Sequence, residues 1–233
     1  MEILYNKERY CFWLQDVPSS VIQNSKILQE RISKVREFRL ASVAKTTNQY
    51  AKIPHLFAQI SQPNEGSYLF IPRESGSNRK YIPIVFFNRS TIASNTCFII
   101  PHATLYHFAV ISSAIHMEWV QKFAGRLSEA IRYSSDIVYN NFPWPENLTN
   151  EERVEIESLA QKVLDTREEL KDVPLAELYH PEKMPTKLKE AHINLDRKIF
   201  KLYGLPENAT EKEIYTELIR RHKKLTNPLE KFY

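Results

Sequence analysis

The residues of this chain best equipped for chemistry are arginines, asparagines and serines gathered in three short stretches. "GRLSEAIRYSSD", Gly125 to Asp136, sets Arg126, Arg132, Tyr133 and Ser134 close together. "RESGSNRKY", Arg73 to Tyr81, is a Gly/Ser-containing loop with Arg73, Arg79 and Lys80. "FFNRSTIASN", Phe86 to Asn95, adds Asn88, Arg89, Ser90, Ser94 and Asn95. A guanidinium can pair with O6 and N7 of guanine, while serine hydroxyls and backbone amides typically grip phosphates. The set therefore suits duplex DNA, although the Arg73–Tyr81 loop also reads as an ordinary solvated turn.

Catalytic sets are missing from the sequence. "YNNFPWPE", Tyr139 to Glu146, holds the ingredients of an Asn-Pro-Pro-aromatic loop, which orients a base amine for methyl transfer, but Phe142 separates Asn from Pro. The four glycines, Gly66, Gly76, Gly125 and Gly204, are too dispersed to form the Gly-rich turn that lets a backbone approach S-adenosylmethionine. A Mg²⁺-dependent nuclease needs clustered carboxylates with a lysine, and "EKE" (Glu211 to Glu213) and "PTKLKE" (Pro185 to Glu190) are helix-surface charge instead. Neither a Gly-x-Ser-x-Gly elbow nor a P-loop occurs. His102, His107 and His116 fall in apolar surroundings and read as core or interface histidines, and Cys11 and Cys97 lack metal-ligand spacing. The expectation is a chain with no catalytic residues, no cofactor site and no metal.

The elements that must position the polar set fall into two regions. Across 233 residues the chain is 42% hydrophobic and 26% charged, enough to bury a core. No apolar run approaches the ~20 residues that span a bilayer, and the charged N-terminus argues against secretion, so a cytoplasmic setting is expected. Residues 1–145 hold 16 Lys/Arg against 10 Asp/Glu, whereas residues 146–233 hold 16 against 18. A basic part followed by a slightly acidic one suits a polyanion-binding domain with a helical appendage.

"RYCFWLQDV" (Arg9 to Val17) predicts a strand, and Ile27, Leu28, Ile32, Val35 and Phe38 recur at helical spacing beyond it. "LFAQI", "YLFIP", "KYIPIVFF", "CFIIP" and "TLYHFAVI" predict the strands of a mostly antiparallel sheet. A helix is expected over roughly Ser112 to Glu129. Two prolines in "FPWP" mark a rigid hinge, and capping boxes at Thr149-x-x-Glu152 and Thr210-x-x-Glu213 open helices around a third over Thr186 to Tyr203. The fold class is α+β: a recognition domain over 1–145, then a small all-α domain over 146–233.

Six segments in order, "RYCFWL", "ERISKVREFRLAS", "YLFIPRESGSNRKYIPI", "IASNTCFIIPHATLYHFAVISSAIHMEWV", "GRLSEAIRYSSDIVYNNFPWPE" and "AHINLDRKIFKLYG", carry a resemblance. They resemble the C-terminal part of MmeI-like type IIG restriction–modification proteins, bacterial DNA adenine methyltransferases, over nearly the whole chain. The resemblance implies a target recognition domain followed by a helical domain, with double-stranded DNA and an upstream methyltransferase domain as partners. It places S-adenosylmethionine and Mg²⁺ in the parent enzyme, upstream of this chain. Relatives carry a variable charged pair three and five positions after the Gly of Gly-Arg-Leu; here those positions hold Ser128 and Ala130. Ala130 has no side-chain group for a base edge, so either that base pair is unread or Glu129 or a neighbour substitutes. Equally, Ser128 and Ala130 could simply end a helix. Arg73, Arg79, Lys80, Arg89, Asn95, Arg126, Arg132, Tyr133 and Ser134 complete the candidate contacts.

Overall fold

The computed structural model describes residues 2–5 and 7–227. The chain divides into two compact units, Glu8–Ser61 and Met1–Lys7 with Gln62–Tyr233.

The smaller unit is helical: α1 (Ser19–Asn24), α2 (Lys26–Leu40) and α3 (Lys45–Gln49). Ser25 caps α2 by accepting the Leu28 N–H. Leu28 is buried and Ile32 and Val35 are half-buried, but Ile27 and Phe38, expected on the same inward stripe, are 65% and 75% exposed. Arg39 takes the inward position one turn after Val35. Its guanidinium donates to the carbonyls of Tyr50, Ile53 and Leu56 at 2.8, 3.0 and 2.8 Å, tying the turn that follows α3 back onto α2. "RYCFWLQDV" is not a strand, because no second strand in this unit pairs with it; Trp13 packs on Phe57 instead, with ring centres 5.5 Å apart.

The larger unit carries two three-stranded antiparallel sheets. In the first, β1 (Ser67–Pro72) lies between β3 (Val85–Asn88) and β4 (Cys97–Pro101), with Leu69 opposite Phe86 and Ile100. The second places β6 (Ala130–Arg132) between β2 (Glu74–Gly76) and β5 (Gly125–Leu127). "TLYHFAVI" folds as helix α4 (Leu105–Ile111), not as a strand. The Thr104 N–H donates to His107 Nδ1 at 3.1 Å, closing a capping box with histidine in the usual Glu position. The expected helix over 112–129 is shorter: α5 (Ala114–Phe123) starts after the Ser113 cap and gives way at Ala124 to extended backbone.

Thr149 and Thr210 form the anticipated capping boxes of α6 (Asn150–Glu169) and α9 (Glu211–Thr226). A short α7 (Leu175–Leu178) and α8 (Thr186–Leu202) lie between them, and Gly204 beyond α8 has φ 71°, the left-handed turn that glycine accommodates at a helix end. One buried cluster runs from Leu69 through α4, α5, α6 and α8 to Leu218. The "FPWP" stretch belongs to it and is a packed strap, not an exposed hinge. Phe142 meets His116 edge-on with ring centres 4.6 Å apart, and the Tyr203 hydroxyl donates to the Pro143 carbonyl at 2.8 Å. The two compact units thus part at residues 7/8 and 61/62, and the core crosses residue 145 without a break.

Burial holds His116 and His192 neutral, each with its pKa pushed down to about 3 from 6.5. Their contribution to stability is complete above 6.5 and is lost as pH falls toward 3. Asp196 has the opposite sign: burial raises its pKa from 3.8 to about 6, so its contribution is complete below 3.8 and is lost as pH rises through 6. Two histidines outweigh one carboxylate, and we expect acidification from pH 6.5 to 4 to lower Tm. The double variant His116→Gln/His192→Gln is expected to show a shallower fall in calorimetric scans; an unchanged slope would contradict this assignment.

Candidate nucleic-acid interface

Strand β6 organises the polar residues. Ile131 is 1% exposed and anchors in the core, so the two-residue period of a strand turns its neighbours Ala130 and Arg132 to the opposite side. Glu74 and Gly76 on β2 stand opposite Arg132 and Ala130, and Gly125 and Leu127 on β5 flank the same two residues from the other side. Ser128 and Glu129 form the two-residue turn between β5 and β6, with Ser128 at φ 53°, a left-handed conformation uncommon outside glycine. Ser128 therefore sits at a hairpin tip and Ala130 on a strand, and neither ends a helix.

A depression of about 900 Å³ lies between the Gly76–Asn78 segment and the Arg126–Ala130 hairpin, with Gln121 of α5 at its base. Gln121 Nε2 donates to the Ser77 carbonyl at 2.6 Å, and Arg126 Nη2 donates to both Gln121 O and Oε1 at 2.9 Å. One side chain thereby ties both walls. Space at Gly76 is tight: a Cβ there would lie 3.2 Å from Asn78 Oδ1, so that side chain would have to shift by a few tenths of an ångström.

A second depression of about 260 Å³ is lined by Arg73, Glu74, Asn95, Thr96 and Arg132. The Arg73 N–H donates to the Thr96 carbonyl at 3.2 Å, and its own carbonyl accepts the Tyr133 N–H at 2.8 Å. Its guanidinium lies 5.5 Å from the Phe98 ring centre, Nη1 donates to Asn95 O at 3.4 Å, and Nε is buried without a partner. Two arginines face one carboxylate here, Glu74, which leaves an anion-accepting balance.

The structure thus brings Arg73, Asn95, Arg126, Ser128, Ala130 and Arg132 to the rims of adjoining depressions. Others on the expected surface are used differently. Arg79 is half-buried and donates to the Ala176 carbonyl at 3.1 Å, with burial lowering its pKa. Tyr133 is buried, and its hydroxyl meets His116 Nε2 at 3.0 Å. Ser134 caps the helical turn Ser135–Tyr139 by accepting the Ile137 N–H at 3.4 Å. In each of these three, a polar group that the sequence offered to DNA has a partner within the fold. Lys80 is exposed beside the Tyr81 ring, and Arg89 is exposed beyond β3, donating to the Asn64 carbonyl at 2.6 Å. Gln121, Ser77 and Asn78 were absent from the sequence-derived set; no local signal marks a glutamine inside an apolar helix as a groove residue.

Among the described residues, no group of three or more His, Cys, Asp or Glu side chains converges on a metal-sized site, and no helix is long and apolar enough to cross a membrane.

The paired sheets built onto a helical end have the fold of an MmeI target recognition domain with its C-terminal domain. The chain belongs to that family: residues 1–146 match the MmeI target recognition domain and residues 148–230 the MmeI C-terminal domain. It is 35% identical over 226 residues to DNA methyltransferase A of Bacillus subtilis (strain 168), covering 97% of this chain and 25% of that protein. It also superposes with a TM-score of 0.92, at 39% identity, on the type IIL restriction-modification enzyme MmeI solved in complex with DNA. That match covers 97% of this chain and 30% of the other. The chain therefore spans about a quarter to a third of the length of these relatives.

Removing the Gln121 amide leaves the Ser77 carbonyl and the Arg126 guanidinium short of partners. Gln121→Ala is expected to cost about 1 kcal/mol in urea denaturation and to raise amide exchange over Gly76–Asn78; wild-type exchange there would separate Gln121 from the groove walls.

Proposed function

We propose that this chain is the sequence-reading module of a bacterial cytoplasmic DNA adenine-N6 methyltransferase of the MmeI-like type IIG restriction–modification class. In this reading it binds double-stranded DNA through the outer side of β2, β6 and β5, while an upstream methyltransferase domain flips out and modifies the adenine. The observation that carries the reading is the convergence of Arg73, Arg126 and Arg132 on adjoining open depressions around one hairpin. S-adenosylmethionine and Mg²⁺ belong to the catalytic domains of the parent enzyme. This chain's residues offer base-edge and phosphate donors but no glycine-rich cofactor turn.

The hairpin tip also bears on what is read. Ser128 and Ala130, at the positions where relatives carry a charged pair, present one hydroxyl and no charge, leaving Glu129 as the ionisable group at the turn. A carboxylate there accepts from cytosine N4. Arg132, one residue past the buried Ile131, is the exposed guanidinium best placed to enter a groove.

A second reading, a module that only docks the methyltransferase domain, predicts negligible affinity for DNA. Anisotropy titrations with duplex DNA distinguish the two. We expect binding that weakens with salt at a slope of about −0.9 per phosphate contact, with no binding even at low salt as the contrary result. Arg132→Ala is expected to lower duplex affinity about tenfold, roughly the loss of one charged contact, with the melting temperature unchanged. A lower melting temperature at unchanged affinity would assign Arg132 to packing instead.

A further inference from the structure

Both walls of the larger depression lead back to one buried carboxylate in the helical end of the chain. Asp196 on α8 is 4% exposed. Its Oδ1 accepts the Ala114 N–H at 2.8 Å, and its Oδ2 accepts the Tyr81 hydroxyl at 2.7 Å. Ala114 is the first residue of α5, so the carboxylate satisfies one of the helix's orphan N–H groups and meets the positive end of its dipole. Helix α5 then carries Gln121 to the base of the depression and ends where the Gly125–Arg132 hairpin begins. Tyr81, 1% exposed, closes the segment that starts at Gly76 and forms the facing wall. Its ring stacks on His192, one turn before Asp196 on α8, at 4.1 Å between ring centres.

The energetics argue that this carboxylate does more than fill space. A desolvated carboxylate held only by hydrogen bonds is costly, and an apolar pair at positions 81 and 196 would occupy the volume without that cost. What the carboxylate adds is direction, with two acceptor oxygens at a fixed angle, one for each wall. Burial pushes its pKa up to about 6, opposed by the hydrogen bonds from Ala114 and Tyr81 and by the Lys80 charge.

We propose that Asp196 is a positioning residue for DNA recognition, fixing the distance between the Gly76–Asn78 wall and the recognition hairpin, so that base discrimination depends on the C-terminal helices. The proposal rests on the reading of this face as a DNA-binding surface.

The test uses the full chain. A randomised duplex library is first enriched with the wild-type protein, and affinities are then measured for the enriched duplex and a shuffled duplex of the same composition. Tyr81→Phe keeps the ring and removes one arm, Asp196→Asn keeps an acceptor for Ala114, and Asp196→Ala removes both arms. Each is assayed below its own melting temperature, with helical content verified by circular dichroism. We expect the ratio of enriched to shuffled affinity to fall about tenfold for Tyr81→Phe and Asp196→Asn, the scale of one charge-assisted hydrogen bond. The shuffled-duplex affinity and its salt slope should stay at wild-type values, because phosphate contacts do not pass through α8. If Asp196→Ala does not fold, Tyr81→Phe alone decides. A wild-type ratio with a lowered melting temperature would overturn the proposal and make Asp196 a purely structural residue. Failure of the wild-type chain to enrich any duplex would instead remove the DNA reading on which the proposal rests.

Discussion

The burial of Ile131 is the constraint on which the proposed recognition face depends. Strand β6 is only three residues long, so its register cannot come from a long ladder of hydrogen bonds. It comes from one aliphatic side chain sunk in the core between two neighbours that point outward. Slipping the strand by one residue would drive the Arg132 guanidinium into the core and expose Ile131, at the cost of an unpaired buried charge. The placement of Ala130, of the Ser128–Glu129 tip and of the opposing Gly76 all follow from that single choice of side.

What surrounds Ile131 is rigid because it belongs to a core that the helical end completes. Trp119 on α5 is buried and donates its indole N–H to the Val138 carbonyl at 3.0 Å, while Phe142 and His222 contact it from the strap and from α9. Helix α6 packs on α4 and α8, with Ile156, Ala160 and Val163 fully buried. A sheet of three-residue strands would be marginal alone. Packing shared with the C-terminal helices supplies the stiffness that such short strands lack by themselves.

Features set by local chemistry were legible in the sequence. The Thr149 and Thr210 caps each satisfy an amide within one turn, and both boxes form as their spacing implies. On α8, Leu188, Leu195 and Ile199 are buried at helical spacing, as the 3.6-residue period requires. "TLYHFAVI" was not legible, because a short, fully apolar run has no face to reveal its period, and its cap uses His107 where a carboxylate is customary. Chemistry alone nominated Arg73, Arg126 and Arg132, which line the depressions, on the same footing as Arg79 and Tyr133. Their inward turn is fixed by Ala176, 97 residues away, and by His116, neither of which a local window can see. Gln121 escaped for the same reason: its partner Ser77 lies 44 residues upstream.

A hydrogen-exchange footprint of the full chain with and without duplex DNA tests most directly whether the hairpin meets DNA. DNA bound on this face is expected to concentrate protection in Gly76–Asn78 and Gly125–Arg132, with the buried amides of α6 and α8 unchanged. Protection confined to α6, α8 and α9, with the hairpin untouched, would contradict that placement.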